Sequence, residues 1–219
     1  MAMNIEQARL NMVGNQVRPW DVLDGRVLDV MARVRREQFV AEEYRQLAFA
    51  DMCLPLGHGE VMMKPVVEGR VLQALDLRPT DQVLEIGTGS GFLTACLATL
   101  SAQVTSVDIH ADFVAASSRR LQLAGITNSR LINAEAVLQW QPEGTFDALV
   151  VTGAVAETPA RWLTWLKPGA RALLVQGLSP VQQAILLTHE GAGRYREQTL
   201  FETDLPYLTH AEPSPRFVF

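Results

Sequence analysis

Between residues 82 and 109 the chain holds side chains, and gaps between them, suited to a small and partly cationic ligand. Val83-Leu84-Glu85-Ile86 reads as a buried strand and runs directly into Gly87-Thr88-Gly89-Ser90-Gly91. At each glycine a Cβ would block a tight turn or keep a ligand off the backbone. The apolar stretch 92–100 follows and reads as a helix whose free amino-terminal N–H groups face whatever the glycines cradle. A second strand, 103–108, ends in Asp108-Ile109, and its carboxylate is placed to accept from both hydroxyls of a ribose.

Spacing and charge narrow the ligand. A dinucleotide loop wants its third glycine one place later, where this chain has Phe92, so the pattern is GxGxG and not GxGxxG. No lysine follows the last glycine, as it would in a phosphate-gripping P-loop. A nicotinamide-dependent reductase would also want a Tyr/Lys pair, and none of the three tyrosines adjoins a lysine. Two carboxylates, Glu85 and Asp108, flank the loop instead. A ribose, an ammonium and a sulfonium match that balance, and S-adenosylmethionine carries all three.

The elements that must position these residues follow from periodicity. After Pro79-Thr80-Asp81, strand and helix patterns alternate, with strands at 82–86, 103–108, 129–132, 146–151, 170–176, 181–187 and 195–202. Helices fall at 91–100, 111–124 and 159–166, the last stopped by Lys167-Pro168-Gly169. This predicts an α/β fold, Rossmann-like and doubly wound, with a mostly parallel seven-stranded sheet. Ligands in such sheets lie beyond the carboxyl ends of the strands. The cofactor contacts are therefore expected from Glu85, Gly87, Thr88, Gly89, Gly91, Asp108, Ile109, Ala134, Glu135 and Thr152.

Ahead of that core, residues 4–50 show apolar positions at three and four spacing, punctuated by Pro19 and Gly25, and predict a helical cap. Residues 51–65 hold too much glycine and proline for one regular element and read as a loop leading into a helix at 66–76. The chain divides into a cap with active-site loop, 1–78, and a core, 79–219. With 219 residues and 48% hydrophobic content it suffices for one substantial core. A net charge of -5 argues against nucleic acid as partner, and the basic run Arg33-Val34-Arg35-Arg36 reads as the solvated face of a helix. Two cysteines without a CxxC pattern support neither a zinc site nor a disulfide framework and fit a cytoplasmic location. The first residues carry no apolar leader, and no segment is long enough to span a membrane.

Several phrases carry a resemblance: Gln16-Val17-Arg18-Pro19, 34–40, Leu54-Pro55-Leu56-Gly57-His58-Gly59, 77–91 and Leu166-Lys167-Pro168-Gly169. Over nearly its whole length the chain resembles the protein-L-isoaspartate O-methyltransferases, repair enzymes of the class I S-adenosylmethionine-dependent type. The resemblance implies that Gly87, Thr88 and Gly89 line the cofactor, that Asp108 holds its ribose and that loop 57–65 closes over the methyl group. The family loop usually reads Gly-x-Gly-Gln-Thr-Ile-Ser-x-Pro, whereas this chain has Gly57-His58-Gly59-Glu60-Val61-Met62-Met63-Lys64-Pro65. Both hydroxyls are replaced, by Val61 and Met63, so no catalytic residue carries over. The acceptor-loop candidates are His58, Glu60, Met63 and Lys64. At Asn133-Ala134-Glu135 the family tends to Gly-Asp-Gly, and Glu135 would take over the adenine amine.

The expected activity is S-adenosylmethionine-dependent carboxyl methyl transfer to an isoaspartyl peptide or protein. One alternative is a methyltransferase of the same fold acting on a less polar small-molecule acceptor, with Val61, Met62 and Met63 lining an apolar entrance. The other is a non-catalytic S-adenosylmethionine-binding protein. The strand ending Val150-Val151-Thr152-Gly153-Ala154 lacks the Asn/Asp-Pro-Pro-aromatic phrase of amine-modifying enzymes, which disfavours a nucleic-acid acceptor.

Overall fold

The computed structural model describes residues 4–214. Seven strands, β3 (Gln82–Ile86), β4 (Gln103–Asp108), β5 (Ser129–Asn133), β6 (Phe146–Val155), β7 (Leu166–Leu178), β8 (Val181–Gly191) and β9 (Arg194–Thr203), form one sheet. Its order is β5-β4-β3-β6-β7-β8-β9. The first five in that order run parallel, and the last two add an antiparallel meander. The chain starts at the centre with β3, moves outward through β4 and β5, then returns to the other side of β3 with β6. That reversal leaves a crevice at the carboxyl ends of β3 and β6, where an open α/β sheet places its ligand.

Alternation along the strands builds two apolar layers. Val83, Val104, Val150 and Leu173 pack on one face with Phe92 and Leu97 of α4 (Phe92–Leu100). Leu84, Ile86, Val107, Leu149 and Leu174 face the other side, with Trp162 and Trp165. The first layer continues without a break into the cap, through Met12 of α1 (Ile5–Met12), Met31 of α2 (Gly25–Arg33), Phe39, and Leu72 of α3 (Pro65–Leu75). Among the described residues, the cap (4–78) and the sheet domain (79–214) thus share one apolar layer.

Three local features differ from the sequence expectation. Residues 51–65 hold a hairpin, β1 (Leu54–Gly57) paired with β2 (Glu60–Met62), because Gly57, His58 and Gly59 all take positive φ and turn the chain within two residues. The basic run is solvated only in part: Arg33, the last residue of α2, and Arg35 are exposed, but Arg36 is fully buried. The helix expected at 159–166 shrinks to α6 (Ala160–Leu163). Lys167-Pro168-Gly169, which reads as a helix stop, is an irregularity inside β7, whose pairing with β6 jumps from Phe146–Leu166 to Ala148–Arg171.

Candidate active site

The glycine loop between β3 and α4 is fixed by what its missing side chains would strike. Gly87 has φ +95°, and a Cβ there would lie 2.1 Å from Thr152 Oγ1. Thr152 in turn donates to the Gly87 carbonyl at 2.7 Å. Gly91, the residue capping α4, has φ +84°, and its Cβ would meet Ser117 Cβ, on α5 (Ala111–Leu123), at 2.9 Å. At these two positions glycine is required by protein packing as well as by the turn.

Asp108, at the end of β4, is buried, and one carboxylate oxygen accepts the Gly89 N–H at 2.9 Å while the other accepts the His110 N–H at 2.8 Å. Each oxygen keeps a free lone pair, and the carboxylate borders the cleft beyond the sheet. Ile109, Ala134, Glu135 and Thr152 border the same cleft.

Glu85 is placed differently. It is fully buried, and Oε2 accepts from Thr94 at 2.5 Å and from Ser106 at 2.6 Å. Burial outweighs those hydroxyls and pushes its carboxyl up to about 8, so it is largely uncharged at neutral pH. Glu85 borders a smaller cavity beside the main cleft, together with Thr88, Ser90 and Glu68, and its Oε1 has no hydrogen-bond partner among the described residues. Ser106 also bonds Thr88 at 2.6 Å, tying the loop to β4. Glu135 spends both oxygens on its own turn, accepting N–H groups from Val137, Leu138 and Gln139 at 2.7, 2.9 and 3.1 Å. That leaves the N–H groups of this turn engaged, and the cleft wall there is apolar, from Ala136 and Val137.

The hairpin carries the acceptor-loop candidates over the glycine loop. Leu56 and Val61 border both cavities, as do Gly87, Gly89 and Thr152. Glu60 is half-buried in the main cleft, where burial first and then the like charge of Asp108 raise its carboxyl above the ordinary range. His58 is half-exposed at the hairpin tip, stacked on His110 at 4.1 Å between ring centroids, with Nε2 3.0 Å from Asp112. These three side chains present ligand-type atoms within 4.8 Å of one another. Met62 and Met63 are buried and border only the smaller cavity, so the apolar entrance expected from 61–63 comes down to Val61 with Leu56. Lys64 is exposed and precedes Pro65, the first residue of α3.

Sequence reasoning missed the brace beneath the hairpin. Arg36, buried in the cap, donates from Nη2 to the Met63 carbonyl at 2.8 Å and from Nε to the Ala48 carbonyl at 2.8 Å. It also pairs with Glu68 of α3 and lies 4.9 Å over the Phe92 ring at the start of α4. It missed Leu208 and Thr209 too, which reach the main cleft from a segment after the sheet. The sequence marks that segment only as a proline-broken tail able to dock on the body or on a second subunit, with nothing to tie it to the ligand.

The family model described as Protein-L-isoaspartate(D-aspartate) O-methyltransferase matches residues 11–209. The chain belongs to this family. Among curated protein-L-isoaspartate O-methyltransferases, that of Koribacter versatilis is 34% identical over 88% of this chain and 86% of its own length. That of Syntrophus aciditrophicus is 35% identical over 86% of each chain. Among solved structures, a protein-L-isoaspartate O-methyltransferase from Plasmodium falciparum, in complex with S-adenosyl-L-homocysteine, superposes with a TM-score of 0.78 at 20% identity. It is covered over 97% of its length, and 91% of this chain is matched. The structural likeness bears on the fold, a mostly parallel seven-stranded sheet with flanking helices.

Proposed function

We propose that this protein transfers the methyl group of S-adenosylmethionine to the free α-carboxylate of an isoaspartyl residue in a peptide or protein. One observation carries the reading: the hairpin residues Leu56 and Val61 and the loop residues Gly87 and Gly89 border the same two cavities, so a donor on the loop meets an acceptor under the hairpin. The two cavities also suit the donor's charge. Asp108 offers lone pairs for a ribose, Ile109, Ala136 and Val137 offer apolar surface for a purine, and the buried Glu85 Oε1 awaits a partner at the other end. No lysine or arginine among the described residues borders either cavity, in keeping with a ligand that brings its own positive charge.

The cofactor supplies an electrophilic methyl group on a sulfonium. The protein's residues align and shield. A carboxylate acceptor, with an ordinary pKa near 4, is already ionised at neutral pH and asks for no general base. What remains is to hold two groups in line and keep water out, and fixing such geometry is worth orders of magnitude in rate. Leu56 and Val61 exclude water at the junction of the cavities. Arg36, through the Met63 carbonyl, holds the end of the hairpin against α3 and α4. Without hydroxyls at 61 and 63, orientation of the acceptor carboxylate falls to backbone N–H groups of the hairpin. Free thiols at Cys53 and Cys96, and the absence of any described helix long and apolar enough to cross a membrane, support placing the reaction in the cytoplasm.

The test is transfer of a labelled methyl group from S-adenosylmethionine to an isoaspartyl peptide, against the same peptide with ordinary aspartate. Transfer confined to the isoaspartyl peptide is expected. Absence of transfer from protein that binds the cofactor would overturn the acceptor assignment.

A further inference from the structure

Five carboxyl groups border the two cavities, and four of them are compensated. Asp108 accepts two backbone N–H groups, and Glu135 accepts three and has His210 Nδ1 at 3.7 Å. Glu68 is paired with the buried Arg36. Glu85 takes two hydroxyl hydrogen bonds, and burial keeps its carboxyl largely protonated at neutral pH. Glu60 differs: its surroundings are partial burial, the like charge of Asp108 and, more weakly, His58, whose Nε2 is turned to Asp112.

Such a carboxylate is badly placed for a protein that only has to bind a negative acceptor. The cofactor brings a sulfonium, but that charge belongs at the reacting centre, and no lysine or arginine among the described residues borders the cleft. An acceptor peptide contributing nothing but its own carboxylate would add a third negative charge near Glu60 and Asp108, in a site too sheltered for salt to screen fully. An acceptor with a cation beside the carboxylate would relieve both charges at once.

We infer that Glu60 is an acceptor-specificity residue, selecting peptides in which a lysine or arginine neighbours the carboxylate to be methylated. This rests on the carboxyl-transfer reading above. The side chain opens the short strand β2 and stands on the cleft wall between the hairpin tip and the sheet. The selection is made by charge, and the apolar junction at Leu56 and Val61 stays free to seal the reacting atoms.

Three isoaspartyl peptides, identical except for Lys, Gln or Glu after the acceptor residue, test this. Their dissociation constants are measured on protein saturated with S-adenosylhomocysteine, and their kcat/KM values in parallel. The expected order is Lys tighter than Gln tighter than Glu, with about tenfold between the extremes at low salt, as for a partly sheltered charge pair. Glu60→Gln compresses the span to within about threefold, and Glu60→Lys reverses the order. Equal affinities in the unsubstituted protein, or a lysine preference that survives intact in Glu60→Gln, would overturn the inference. Charge-ordered binding with no methyl transfer from any peptide would leave Glu60's role standing and sink the carboxyl-transfer reading, so the two failures are separable. Thermal unfolding of both variants confirms that they fold.

Discussion

Thr152 Oγ1 fills the space that a side chain at Gly87 would need: a Cβ at residue 87 would stand 2.1 Å from it. The hydroxyl bonds the carbonyls of Ile86 and Gly87 across the crevice between β3 and β6. The glycine loop is thereby tied to the strand on the far side of the switch point.

Gly87→Ala is expected to cost about 1–3 kcal/mol in stability, from the left-handed backbone and the clash together. It should also weaken S-adenosylhomocysteine binding more than tenfold, by moving the loop. Adding Thr152→Ala removes the oxygen but not the backbone strain. Urea denaturation and calorimetric titration of the single and double variants should show partial recovery. Full additivity of the two losses would mean that the residues do not share the space described.

Glu85 predicts a pH dependence. Burial raises its carboxyl from the ordinary value of 4.5 to about 8 in the folded protein. The folded state therefore keeps a proton that the unfolded chain gives up over that interval. Its contribution to stability is complete below about pH 4.5, declines as pH rises toward 8, and changes no further above that. The slope from this one group is at most roughly 1.4 kcal/mol per pH unit. Glu85→Gln, which keeps an acceptor for Thr94 and Ser106, should flatten the profile between pH 5 and 8 in urea melts. An unchanged slope would show that Glu85 is ionised in the folded protein.

Removing one member of the Arg36–Glu68 pair should be far worse than removing both. Arg36→Met strands the Glu68 carboxyl, already pushed up to about 7 by its burial, and deprives the Met63 and Ala48 carbonyls of their donor. A loss of about 3–5 kcal/mol is expected. Glu68→Leu in the Arg36→Met background should restore a substantial part of it, since two apolar side chains of similar volume replace a desolvated pair. Denaturant midpoints of the four proteins in the cycle decide the matter; strict additivity would rule out the coupling.

Much of the sheet is legible in the sequence because strand and helix signals there are local. Val83 to Ile86, the glycines, and Asp108 at the end of the next strand fall in the structure where their pattern places them. The hairpin at 54–62 was hidden because its turn lies at Gly57-His58-Gly59, where a histidine adopts φ +55°, and glycine-rich sequence reads equally as loop. Arg36 was misread for a different reason. A basic run signals solvent by composition, and only the fold reveals that two carbonyls, a carboxylate and an aromatic ring surround one member of it. Glu135 shows the same limit from the other side: its place at the end of β5 is readable, but the capping of its own turn is not.

Leu208 closes over Gly153 and approaches Gly87, held by a backbone bond from its N–H to the Ala154 carbonyl at 2.9 Å. It arrives in sequence after every strand of the sheet. During synthesis the glycine loop emerges more than a hundred residues before the side chain that walls its cleft. The wall of the ligand cleft is thus supplied by a segment that the chain adds only after all seven strands of the sheet are in place in sequence.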